Sequence, residues 1–239
     1  MKTFVLHYTP LVERRIHMED EITKHQLDAM FITKFDKEDM TDFDDEIFDF
    51  KAVWSGRTLW KSNASLICKH LEAYRETCAQ DLAYGHIMED DVIALDNFKE
   101  KVADYVEQLP EDWDILFFGD GYKGNMKVPK KIVDEVGGNV FLKPLSGNGM
   151  NDRAINGWPI CAGASRCSDN YVISRKCAES ILSYVAKIRS GNKGRIVNPS
   201  DLWMNKLFRE CRFKIYWGEP ALSTQGTENG MFASAHKEL

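Results

Sequence analysis

Apolar residues along this chain fall in short blocks separated by longer amphipathic stretches. Residues 3–7 (TFVLH) form the first block and predict a strand, and residues 13–26 carry the pattern of a helix behind it. Residues 62–80 place Ile67, Leu71, Tyr74 and Cys78 on one helical face. A second strand is predicted over 83–88. Asp96 then stands at an N-cap position ahead of Phe98, Val102, Tyr105 and Leu109, and Pro110 closes that helix. DILFF, residues 114–118, reads as another short buried strand. Residues 119–168 are rich in Gly, Asn, Lys and Pro with little periodicity, which predicts a working loop region. Order returns at 171–174, a strand running into a helix that buries Cys177, Ile181, Leu182, Val185 and Ile188. NPSDLWMNKLF opens one more helix, with Asn198 as cap, Pro199 in the first turn and Asp201 three residues past the cap. Residues 213–217 predict a last strand, and everything from Gly218 onward reads as turn-rich and loosely ordered. Strands alternating with helices predict an α/β domain with a mainly parallel sheet.

Composition narrows the classes. The 239 residues suit one domain, and 44% hydrophobic with 28% charged residues is the balance of a globular protein with a real core. A net charge of −6 argues against nucleic acid or anionic lipid as a partner. No run of about twenty apolar residues spans a bilayer. The apolar stretch at 4–6 is too short for a signal-peptide core, so a cytoplasmic location is expected. Six cysteines are scattered without a CxxC pair, as expected of free thiols in a reducing compartment. Much of the acidic excess lies in residues 36–49, a solvated loop on this reading, because its spacing fails the calcium-loop pattern.

One stretch departs from bland patterning. AYGHIMEDDVIAL, residues 83–95, runs from a buried strand into Glu89, Asp90 and Asp91 and then turns apolar again. Ligands of open α/β sheets bind at the carboxyl ends of strands. Adjacent carboxylates raise each other's pKa unless positive charge lies beside them. A hard divalent cation, Mn²⁺ or Mg²⁺, answers that need and leaves positions for substrate phosphates, so the cluster points to a metal–diphosphate site. The alternative is an acidic helix N-terminus favoured by the helix dipole.

The order of several segments resembles glycosyltransferase family 25, the lipopolysaccharide-type glycosyltransferases that include the collagen hydroxylysine galactosyltransferases. FVLHYTPLVERRIHM is similar to the family's opening strand and Arg-bearing helix start, CKHLEAYRE to its Ser-His helix, and HIMEDDV to its E-D-D signature. LPEDWDILFFGD, DNYVISRKCAESIL, NPSDLWM and EPALSTQ follow in family order. His7 and Tyr8 replace the usual Asn-Leu, Lys69 replaces the Ser before His70, and residues 119–168 have no aligned counterpart.

The resemblance implies a GT-A-like nucleotide-sugar-binding sandwich in a single domain, with a nucleotide and metal half over 1–118 and an acceptor half over 119–239. It implies a UDP-sugar donor, galactose or glucose, and inversion at the anomeric carbon. Asp91 with Glu89 would hold the cation, Asp90, Arg14, Arg15, His70 and Gln225 would contact the donor, and Asp201 would be the base. Asp120 and Trp158 are acceptor-side candidates, the latter by stacking on a sugar. Each has a plainer reading: solvated helix charges for Arg14 and Arg15, an interior histidine for His70, a loop anchor for Trp158, a helix-stabilising first-turn carboxylate for Asp201. Asp114 is expected to pair locally, and His236 to be a ligand only if the tail folds back. Two rival functions remain. A non-catalytic carbohydrate- or nucleotide-binding module keeping the same fold is opposed by the intact E-D-D cluster and Asp201. A metal-dependent phosphodiesterase or nuclease would need a basic groove that the net charge opposes.

Overall fold

The computed structural model describes residues 1–40, 46–54, 57–145 and 165–234. Trp158, Cys161 and His236 lie outside them.

The chain runs β1 (Lys2–Leu6), α1 (Val12–Lys24), β2 (Asp28–Ile32), β3 (Val53–Trp54), β4 (Arg57–Thr58), α2 (Lys61–Ala79), β5 (Tyr84–Glu89), β6 (Val92–Ala94), α3 (Phe98–Glu107), β7 (Ile115–Phe117), α4 (Lys130–Val136), β8 (Val140–Leu142), β9 (Asn170–Ser174), α5 (Arg175–Arg189), α6 (Ser200–Cys211), β10 (Ile215–Gly218) and β11 (Ser223–Gln225). Among the described residues the central sheet has seven strands in the order β2-β1-β5-β9-β7-β10-β8. β2, β1, β5, β7 and β10 run the same way, while β9 and β8 run against them. The expected mainly parallel α/β sheet is therefore present, with β9 inserted in reverse at its centre.

Both faces of this sheet are covered, which explains why its strands read as apolar runs rather than as alternation. Phe4, Leu6, Ile87, Ile115, Phe117, Tyr171 and Ile173 point to the face packed by α2, α5 and α6. Val5, Met88, Leu116, Phe118 and Val172 point to the other, against Met18 of α1 and Phe98, Val102 and Tyr105 of α3. The period of two places successive residues of each strand in different cores.

Several local expectations need correcting. Asp96 does not cap α3: the cap residue is Asn97 in a left-handed conformation, without a side-chain cap, and Asp96 instead meets Lys24 at 3.3 Å. Asn198 does not cap α6 either, because Pro199 occupies that position and makes Asp201 the second helical residue. Among the described helices only α5 has the simple cap, Ser174 Oγ accepting from Cys177 N–H at 3.2 Å. The region after residue 119 is not all loop, since it supplies α4 and the edge strand β8. The part beyond Gly218 is ordered, with β11 paired antiparallel to β6. In the acidic stretch, Asp36, Met40, Ile47 and Phe48 are buried, and Phe48 bridges to Ile196, so its described ends are docked rather than solvated. Cys78, Cys167, Cys177 and Cys211 are free thiols.

Candidate functional site

The carboxyl ends of β1, β5 and β7 open on one edge of the sheet, and the reversed β9 begins there. α6 and the segment after β11 close over the same edge. Between them lies a cleft of about 310 Å³, a volume suited to a small ligand, lined by Arg14, Asn63, Leu66, Glu89, Asp91, Cys167, Ser168, Pro199, Ser200, Asp201, Gln225, Thr227, Glu228 and Ser234. A smaller pocket of about 70 Å³ shares Arg14, Leu66 and Glu89 with it and adds Leu6, Tyr8, Leu11, Lys37, Ser62, Ser65, Lys69 and Asp90. Of the residues singled out in the sequence, Glu89, Asp91, Arg14, Gln225 and Asp201 thus meet in one cleft.

The three consecutive carboxylates have three different surroundings. Asp90 is held by donors on both oxygens. Arg14 Nη1 donates to Oδ1 at 2.8 Å, while His7 Nδ1 and Tyr8 N–H donate to Oδ2 at 2.9 and 3.1 Å. Burial alone would raise its pKa, but His7, Arg14 and Tyr8 outweigh that and hold it below the ordinary carboxylate value. Asp91 goes the other way, raised by burial and then by the Glu89 charge, with Thr227 only partly compensating. Its Oδ2 accepts from Thr227 Oγ1 and N–H, whereas its Oδ1 is buried without a hydrogen-bond partner among the described residues. Glu89 Oε1 accepts from Ser168 Oγ at 2.8 Å, and that hydroxyl also meets Ser200 Oγ at 3.1 Å.

Arg14 is buried and ties these parts together. Besides Asp90 it donates through Nη2 to Thr227 Oγ1 at 2.9 Å and to the Ala233 carbonyl at 2.7 Å. Arg15 is elsewhere: it pairs with Glu19 and lies 3.5 Å over the Phe31 ring, lining neither pocket. One helical step turns it out of the site. His70 is an interior histidine, its Nδ1 bonded to the Tyr171 hydroxyl at 2.8 Å and its Nε2 3.8 Å from Glu89 Oε1. Asp120 lines neither pocket. It is half-buried, raised by desolvation, and bound through its backbone to Ser223 and Met126. Asp201 stands in the first turn of α6, where its Oδ1 accepts from Leu202 N–H at 2.8 Å. Asp114 does not pair locally: it accepts from Lys214 N–H at 2.7 Å, 100 residues away and just ahead of β10.

Three residues of this edge escape a reading of the sequence. Thr227 and Ser168 are short hydroxyl side chains in segments without periodicity. Asp169 is fully buried beside the cluster, and burial together with Glu89 and Asp91 raises it well above the ordinary carboxylate range. In the sequence it stands only as the first residue of DNYVISRKCAESIL, just ahead of a strand, and its importance appears once β9 is known to pair with β5.

The chain belongs to glycosyltransferase family 25, described as LPS biosynthesis protein, which matches residues 1–204. It is therefore a glycosyltransferase. No curated protein sequence matches it. Among solved structures, A197 from STIV aligns at 12% identity over 90% of this chain and 80% of its own, with a TM-score of 0.36. A mutant of Drosophila β1,4-galactosyltransferase 7 in complex with manganese, UDP-Gal and xylobiose aligns at 9% identity over 100% of this chain and 75% of its own, TM-score 0.46. Mouse xyloside xylosyltransferase 1 in its apo form aligns at 10% identity over 90% and 70%, TM-score 0.42. Among the described residues no helix is long and apolar enough to cross a membrane.

Proposed function

We propose that this glycosyltransferase moves a hexosyl group, galactosyl or glucosyl, from a UDP-sugar to a hydroxyl of a glycan, a lipid-linked sugar or a protein, with inversion at the anomeric carbon. The observation that carries the reading is the cleft itself: Glu89 and Asp91 at the end of β5 and Asp201 at the start of α6 line one cavity from different elements. The first two suit the diphosphate side and the third the acceptor side. Tyr8, Leu11 and Leu66 of the adjoining pocket offer an apolar wall for a base ring.

The donor set fits a hard divalent cation, because Asp91 Oδ1 is a buried carboxylate oxygen with no partner and lies beside Glu89. Among the described residues no three His, Cys, Asp or Glu side chains are grouped to hold a metal unaided, so diphosphate and water oxygens would complete the set. Manganese or magnesium held by Asp91 and Glu89 would supply positive charge against the leaving diphosphate. Asp201 accepts the proton of the acceptor hydroxyl as the new glycosidic bond forms and the bond to diphosphate breaks. Thr227 fixes Asp91, and Ser168 fixes Glu89, which keeps both carboxylates oriented before donor arrives.

A panel of nucleotide sugars assayed for metal-dependent release of nucleotide tests the donor, with product configuration read by NMR. Asp201→Asn is expected to bind UDP as wild type does while transfer falls about a hundredfold or more. A variant that melts lower yet turns over normally would reduce Asp201 to a helix-stabilising charge.

A further inference from the structure

Asp169 lies immediately ahead of β9 and is the unexplained charge of this molecule. Its side chain is fully buried, and among the described residues neither carboxylate oxygen has a hydrogen-bond partner beyond its own backbone N–H. Leaving such a group unpaired is costly, so its presence asks for a ligand. Asp90, Arg166 and Lys69, buried charges like it, are met. Asp90 has three donors, and Arg166 donates to Met126 O, Gly218 O and Glu219 Oε1 at 2.6–2.7 Å. Lys69 donates to Lys34 O and Asp36 Oδ1, both at 2.7 Å.

The fold makes room for this carboxylate. It faces Gly119 just past β7, where a Cβ would fall 2.6 Å from Oδ2 and 2.9 Å from Oδ1. Its backbone carbonyl accepts from Glu89 N–H at 2.7 Å, which stitches it to the first carboxylate of the cluster. The charges bearing most on it are those of Glu89 and Asp91. Asp91 Oδ1 is likewise buried and unpartnered. Asp91 lines the cleft, and Asp169 is buried next to Ser168, which also lines it.

We propose that Asp169 is a positioning residue for the divalent cation: from behind the cleft its carboxylate holds a water bound to the ion that Asp91 and Glu89 grip. The inference rests on the metal reading given above. Small hard cations keep several of their waters, and outer carboxylates orient them. An outer place also agrees with the spacing, since no three acidic or imidazole side chains among the described residues are grouped for direct ligation.

The test counts free manganese by electron paramagnetic resonance during titration of the full chain, with and without UDP. The wild-type arm decides the metal reading, and no manganese bound in either condition overturns both proposals. Given wild-type binding, Asp169→Asn is expected to weaken manganese about tenfold or more, while the metal-free variant melts no lower than wild type. Gly119→Ala displaces the carboxylate without removing its charge and is expected to weaken manganese too. Unchanged manganese affinity in folded Asp169→Asn overturns the role. Should that variant not fold, the same result in Gly119→Ala overturns it.

Discussion

Asp90 and Asp91 are neighbours in sequence, equally acidic and almost equally buried, yet the fold treats them as opposites. On the side of Asp90 the small pocket is electrostatically closed: His7, Arg14 and the Tyr8 amide meet the carboxylate, and Lys69 meets Asp36. On the side of Asp91 the larger cleft is left unbalanced, with oxygens of Asp91 and Asp169 unpartnered. The turn that Asp90 and Asp91 form between β5 and β6 separates them, setting Asp90 against His7 and Arg14 and Asp91 against Thr227 at the cleft. A run of like charges is thus two devices. Its middle member joins β5 to the loop after β1, and its outer members are available to a ligand.

The sharpest way to break this comparison is to neutralise each neighbour in turn. Asp90→Asn leaves Arg14 buried without its main counter-charge and should cost about 4 kcal/mol in denaturant unfolding. Asp91→Asn should not destabilise the metal-free protein, but should weaken manganese-dependent UDP binding, measured calorimetrically, by at least about tenfold. Equal losses of stability and binding in both variants would erase the distinction.

A third kind of buried group extends it. His86 is fully buried between Thr3 Oγ1 at 3.0 Å and Asn170 Oδ1 at 2.8 Å, with Phe98 and Phe118 against its ring. Desolvation lowers its pKa to about 4, so it is kept neutral. The unfolded chain takes up a proton near pH 6.5 that the folded chain refuses until about pH 4. Stability should therefore fall as pH drops through that window, by about 3 kcal/mol from this residue alone. Unfolding free energies across that range should show a flatter slope for His86→Gln, and parallel slopes would dismiss the effect. The smallest change is expected from Arg15→Ala. Its side chain is turned away from the cleft, and nucleotide affinity and turnover should match wild type, in contrast to any truncation of Arg14.

Much of the frame was legible from pattern alone. β5, β9, α2 and α5 are long enough for period to show, and their ends lie within a residue or two of expectation. β6, β8 and β11 have three residues each, too few to declare a period, and STQ carries no apolar signal at all. Caps at Asn97 and Pro199 depend on the direction from which the chain enters the helix, which local composition does not encode. The site divides along the same line. Glu89, Asp91 and Asp201 were readable because they sit at the ends of recognisable elements. Asp169 and Thr227 were not, because their relevance depends on reversed β9 pairing with β5 and on the last segment folding back over Asp91.

That fold-back has a consequence for the order in which the protein is made. Arg14 reaches Thr227 and Ala233 across separations of 213 and 219 residues. At ribosomal speeds of about 5–20 residues per second, Arg14 waits on the order of ten to forty seconds for these partners to be synthesised. Until then the acidic edge of β5 is present but has no roof. The roof over Asp91 therefore forms well after β5 has left the ribosome, and until residues 227–233 emerge Arg14 has its contact with Asp90 but not those that close over Asp91.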